Sequence, residues 1–166
     1  MRITLSRLNE MDRASFTGEL GTIFEHSPWV AEQVWEHKPF QSVETLLNEM
    51  MSVVLDASED HIVGLLHAHP DLGTRIKLGH YSAEEQRSVG LDSLTPEEYE
   101  TFSVLNQTYV DRFGFPFILA VRGKTKADVL EAMTARSGNT KTAERQEALE
   151  QIRRIAGMRL TDIIED

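Results

Sequence analysis

An all-α fold is predicted for this chain, a single compact domain of about seven to eight helices with no significant sheet. Three observations predict it. Apolar residues recur mostly at helical spacing, proline and glycine punctuate the chain sparsely, and several serine or threonine residues stand where helices would begin. No alternation of strand and helix patterns is present, which excludes dinucleotide-binding α/β folds, and no glycine-rich phosphate loop appears.

The elements follow in order. Phe16, Leu20, Ile23 and Phe24 recur at i, i+4, i+7 and i+8, one face of a first helix. Ser27-Pro28-Trp29 reads as a cap followed by proline at the first helical position, where its missing N–H costs nothing. That second helix should run to about His37, since Pro39 prevents its continuation. Ser42 can cap a third helix carrying Leu46, Leu47, Met50, Val53 and Val54. Ile62, Val63, Leu65 and Leu66 suit a short buried helix that delivers His67 and His69 at its C-terminal end. Pro70 disfavours the α conformation at His69, so the chain should leave the helix there.

Residues 71–81 read as a loop. Ser82-x-x-Glu85 has the form of a capping box, in which hydroxyl and carboxylate each satisfy a free amide. Thr95-Pro96-Glu97-Glu98 repeats the device and opens a long helix holding Phe102, Leu105, Tyr109 and Phe113, closed by Gly114. Phe115 to Val121 is apolar and has no evident partner strand, so it reads as a buried extended or helical segment. Thr125 starts a further helix ending near Gly138-Asn139. The last helix spans about Thr140 to Ile164, with Leu149, Ile152, Ile155 or Ala156, Leu160 and Ile163 inward.

With 166 residues the chain can bury a real core. Its 40% apolar and 27% charged content is that of an ordinary globular protein. No window of eighteen apolar residues is found, so no membrane association is expected. The absence of cysteine removes disulfides, thiolate catalysis and cysteine-ligated metals. A formal net charge of −10 argues against a nucleic-acid partner, which would call for a basic patch. Met1 to Arg7 lacks the apolar core of a secretory signal, so the expected location is cytoplasmic.

The chemistry is concentrated in Leu66-His67-Ala68-His69-Pro70-Asp71-Leu72-Gly73. An imidazole at a helix end can face a cavity and exchange a proton near neutral pH. A buried histidine with a purely structural hydrogen bond is the alternative. His67, His69 and Asp71 also have the chemistry of metal ligands. That would suit a small metal-dependent hydrolase, although the familiar His-x-His hydrolases are longer barrels with alternating strands. His26, His37, His61 and His80 are scattered and read as surface or structural residues. Glu85 has its capping role as a sufficient reason to be there, and Arg159 could be a helix-surface arginine or a fork donor for a carboxylate or urea carbonyl. A non-catalytic helical interaction module is the remaining alternative.

Several segments taken together resemble one family. They are Phe24-Glu25-His26-Ser27-Pro28-Trp29-Val30-Ala31, His69-Pro70-Asp71-Leu72, Ser82-Ala83-Glu84-Glu85-Gln86 and Gly90-Leu91-Asp92-Ser93-Leu94, followed by Tyr109-Val110-Asp111-Arg112-Phe113-Gly114-Phe115-Pro116-Phe117 and Ala156-Gly157-Met158-Arg159-Leu160. The family is the 2-oxo-4-hydroxy-4-carboxy-5-ureidoimidazoline (OHCU) decarboxylases, which complete the conversion of urate to (S)-allantoin. The resemblance implies an all-α homodimer that acts on a small molecule without metal or organic cofactor. It implies His69 and Glu85 as catalytic residues. It implies substrate contacts from Pro70, Ser82, Ala83, Glu84, Glu85 and Gln86, from Phe117, Ile118, Leu119, Ala120 and Val121, and from Arg159. Gly73-Thr74-Arg75 and Ser88-Val89-Gly90 depart from the family's usual pattern.

Overall fold

The computed structural model describes residues 2–69 and 94–165. Among them are eight α-helices and one pair of two-residue strands, so the fold is all-α. The described chain divides into two compact units, one of residues 2–68 with 152–165, the other of His69 with residues 94–151. No helix among the described residues is long and apolar enough to cross a membrane.

The first unit opens with β1 (Ile3–Thr4) and α1 (Leu5–Glu10), whose first turn is capped by the Thr4 hydroxyl accepting from the Arg7 N–H. Asp12 caps α2 (Arg13–Leu20) by accepting from the Ser15 N–H at 2.8 Å. This helix is shorter than its apolar spacing suggests. It stops at Leu20, and Ile23 and Phe24 reach the core from the turns that follow. Gly21 allows the close ending. Its N–H donates to the Thr17 carbonyl at 2.7 Å, and a Cβ there would lie 2.5 Å from that same oxygen.

The next helix, α3 (Trp29–Val34), continues as a 3-10 turn through Trp35–His37, ending where expected. Its start differs from the expected cap. The Ser27 hydroxyl donates to the Glu25 carbonyl at 2.8 Å, and α3 has no side-chain cap. The serine satisfies the preceding turn instead, a local competition typical of small polar side chains. The chain then returns over α1, where Asn9 exchanges two hydrogen bonds with the Phe40 backbone at 2.7 and 2.9 Å.

In α4 (Val43–Asp56) the Ser42 hydroxyl accepts from the Thr45 N–H at 3.0 Å, and Leu46, Leu47, Met50, Val53 and Val54 are buried as their spacing predicts. In α5 (Glu59–Ala68) Ile62, Leu65 and Leu66 are buried, while Val63 is exposed.

The second unit has α6 (Pro96–Phe113), opened by the expected capping box of Thr95 and Glu98 and closed by Gly114 at φ 78°, the left-handed conformation glycine favours. The Thr95 N–H on its carboxylate, with Lys126 beside it, holds the Glu98 carboxyl below the usual range. Thr125 and Asp128 form a second box on α7 (Lys126–Arg136). Between α6 and α7, Phe115 and Phe117 to Val121 are buried without forming a helix or a strand.

The last helix, α8 (Lys141–Ile163), gives its first half to the second unit and its second half to the first. Leu149, Ile152, Ala156 and Leu160 are buried, and Ile155 and Ile163 are only partly so. In the first unit Gly157 lies against α4, where an added Cβ would meet Leu47 at 3.2 Å. The chain then enters β2 (Ile164–Glu165), which pairs in parallel with β1. Arg2 fastens this join by donating to the Thr161 and Ile164 carbonyls at 2.8 and 2.5 Å. This short pairing, Ile3 with Ile164 and Thr4 with Glu165, is not expected from sequence.

Candidate active site

His69 follows the last residue of α5 directly and sits in a bend, where Pro70 would place it. It is 5% exposed, and His67 on the last turn of α5 is exposed. The two imidazoles therefore occupy different environments, as one inward and one outward position on a helix end should. Low exposure suits proton transfer, because electrostatic interactions strengthen where water is excluded. Pro70, Asp71, Ser82, Ala83, Glu84, Glu85 and Gln86 lie outside the described residues, and so does His80.

Of the scattered histidines, two have ordinary partners. His37 pairs with Glu49 at 2.7 Å, and His61 stacks on Trp29 at 4.7 Å between centroids. His26 is exposed and takes φ 47°, a left-handed value uncommon outside glycine. No three of the described His, Asp and Glu residues gather as a metal-ligand set.

Arg159 belongs to the first unit. It donates to the Ile23 carbonyl at 3.0 Å and lies 2.5 Å from Glu25 Oε1. The arginine is thus a half-buried clamp on the turns between α2 and α3, within the Phe24–Ala31 segment that carries the family resemblance. A shallow depression of about 280 Å³ beside it is lined by Glu19, Thr22, Ile23, Arg159, Asp162 and Ile163.

The stretch from Phe117 to Val121 belongs to the second unit, like His69. It lies against a buried polar network that the apolar residues alone do not reveal. Glu144 is fully buried on α8 and accepts from Tyr109 Oη, from Arg136 Nε at 2.8 Å and from Asn139 Nδ2 at 3.0 Å. Arg136 in turn donates to the Ile118 carbonyl at 2.7 Å and lies over the Phe117 ring, 4.4 Å from its centroid. Seven residues beyond Glu144, Gln151 Oε1 accepts from the Ala120 N–H at 3.0 Å. Tyr109 packs edge-on against Phe117 at 5.1 Å and tilted against Phe113 at 4.7 Å, so one aromatic cluster roofs the network. A signal for it existed. Glu144, Ala148, Gln151 and Ile152 share one face of α8 at helical spacing, and two of these four are polar.

Burial, then the bond to Glu144 and its charge, push the Tyr109 hydroxyl well above the ordinary tyrosine value of 10.0. The folded state thus favours the protonated phenol. Its stabilisation is present in full below pH ~10 and is lost as pH rises beyond, where the unfolded chain releases a proton the folded chain keeps. Urea unfolding between pH 8 and 11 is therefore expected to show stability falling more steeply in the native chain than in Tyr109→Phe. Equal slopes would show that Tyr109 ionises freely in the fold.

Comparison with known proteins places the chain in a family. The OHCU decarboxylase family model matches residues 9–161. The chain is 43% identical over 162 residues to the 2-oxo-4-hydroxy-4-carboxy-5-ureidoimidazoline decarboxylase of Halalkalicoccus jeotgali, covering 98% of this chain and 92% of that protein. It is 46% identical over 161 residues to a uric acid degradation bifunctional protein of Bacillus subtilis, covering 97% of this chain and 33% of that longer protein. A crystal structure of (S)-allantoin synthase superposes with a TM-score of 0.83 at 37% identity, covering 98% of this chain and 54% of that one. A family match over nearly the whole length, at these identities, means that the chain belongs to the OHCU decarboxylase family and is a lyase.

Proposed function

We propose that the chain removes CO2 from 2-oxo-4-hydroxy-4-carboxy-5-ureidoimidazoline to give (S)-allantoin, with His69 as its proton-transfer residue and no metal or organic cofactor. The observation that carries the reading is a nearly solvent-free histidine at the end of α5, in the His-Pro-Asp-Leu segment of a member of this family.

The substrate bears a carboxylate and a hydroxyl on one carbon, beside a ring C=N. As CO2 leaves, the bonding electrons pass toward that C=N, so the substrate holds its own electron sink. The protein has to orient the ring, manage the hydroxyl proton and let a new proton arrive on one face. His69 accepts the hydroxyl proton, or a hydrogen bond from it. Glu85 orients His69 or the substrate and sets the protonation state. In the same reading Pro70, Ser82, Ala83, Glu84 and Gln86 contact the substrate.

The backbone of Phe117 to Val121 supplies amides for the carbonyls. Arg136 holds the Ile118 carbonyl and Gln151 occupies the Ala120 N–H. Among the described residues the Leu119 amide has no acceptor, and it is the one offered to a ligand. Arg159 anchors a substrate oxygen from a guanidinium that Glu25 already orients. Gripping the departing carboxylate too tightly would stabilise the ground state, so a ring or ureido oxygen suits it better. A homodimer and a cytoplasmic location belong to the same reading.

The competing metal reading needs His67 and His69 to converge, and their contrasting exposure weighs against it. The test is a coupled assay: urate, urate oxidase and hydroxyisourate hydrolase generate the substrate, and circular dichroism follows allantoin. A rapid single-handed signal is expected, whereas racemic product at the rate seen without the protein would refute the proposal. Activity is expected to be unchanged after treatment with EDTA. Loss on chelation, restored by zinc, would overturn the cofactor-free mechanism.

A further inference from the structure

We infer that Gln151 is a positioning residue for the substrate-binding backbone. This rests on the reading that the stretch from Phe117 to Val121 touches the substrate. That stretch lies outside any helix or strand, so no regular ladder sets its orientation. Two buried side chains do so instead. Arg136 takes the Ile118 carbonyl, and Gln151 takes the Ala120 N–H. The two anchored groups are two residues apart, the spacing at which an extended chain presents the same side. In such a chain the Leu119 N–H and C=O, between the two anchored groups, face the other way, and among the described residues the Leu119 amide donates to no acceptor.

The direction of the Gln151 amide is itself fixed. Its Nε2 donates to Glu147 Oε1 at 2.7 Å, one helical turn earlier, which forces Oε1 toward Ala120. Gln151 is 3% exposed, so water cannot replace its acceptor. The chain from Glu147 through Gln151 to Ala120 therefore sets the rotation of the peptide groups offered to the ligand. Such groups would bind ground and transition states alike, so their loss should appear in KM more than in kcat.

The test measures kcat, KM and folding for Gln151→Leu, which keeps bulk and removes the acceptor, and for the double variant Glu147→Gln/Gln151→Glu. The double variant exchanges acid and amide. Its residue 151 still accepts from Ala120, its residue 147 donates back, and net charge is unchanged. For Gln151→Leu the expected result is a KM at least ~10-fold higher with kcat within ~3-fold, and for the exchange a KM within ~3-fold of the native chain. A folded Gln151→Leu with native KM would overturn the inference, and so would equal losses in kcat and kcat/KM. If Gln151→Leu fails to fold, the exchange variant decides: near-native KM supports the inference, a raised KM refutes it. Inactivity of the native chain in the same assay would instead refute the underlying reaction.

Discussion

His69→Asn is expected to lower turnover by at least ~10²-fold, the usual size of a general acid–base contribution, while the far-ultraviolet circular dichroism stays native. Asparagine can replace a hydrogen bond of the ring but cannot exchange a proton near neutral pH. The substitution thus separates a proton-transfer role from a structural one. The position is suited to the comparison, since His69 lies just past α5, where the side chain carries no helical burden. Turnover within a few-fold of the native value, in a folded protein, would remove His69 from the mechanism. A structural histidine would give that result together with a lower unfolding temperature.

Arg136→Met is expected to destabilise the fold by about 3–5 kcal/mol, the cost of leaving a buried charge without its partner. Glu144 would keep Tyr109 and Asn139 as donors but lose its one cation among the bonds described above. The Ile118 carbonyl would lose its donor at the same time. Urea titration at neutral pH measures the loss. Adding Glu144→Gln to the first substitution should recover part of it, because no charge then remains buried. A loss below ~1 kcal/mol for Arg136→Met would show that solvent reaches the network.

Most helices were legible because their signals are local. Ser42 before α4 and the box of Thr95 and Glu98 before α6 need only a few residues to act, and both cap as their chemistry requires. The apolar spacing around α2 was misleading, since burial continues through Ile23 and Phe24 after the helix has stopped at Leu20. Spacing reports which residues go inward and not the backbone that takes them there. The Ser27 hydroxyl had two local roles open to it, accepting from an amide of the helix or donating to the Glu25 carbonyl, and it takes the second.

The site divides in the same way. Pro70 marks His69 through a one-residue steric effect, and the buried strip from Phe117 stands out by composition. The partners of that strip do not. Arg136, Glu144 and Gln151 each read alone as solvent-facing polar residues, and only their meeting in space makes them one network. Arg159 reads in the sequence as a surface arginine or a fork donor, and its pairing with Glu25 across 134 positions is not visible there.

The division of the chain bears on how it is made. The second unit is continuous in sequence, whereas the first needs residues 152–165 to complete what residues 2–68 begin. A ribosome therefore delivers the inner segment whole before it releases the closing one. Until then Leu47 on α4 lacks its neighbour Gly157, and the turn at Ile23 lacks the Arg159 clamp. Contacts so distant in sequence form late, because loop-closure entropy must be overcome first. The N-terminal helices would thus leave the exit tunnel with an apolar surface that only residues 152–165 complete.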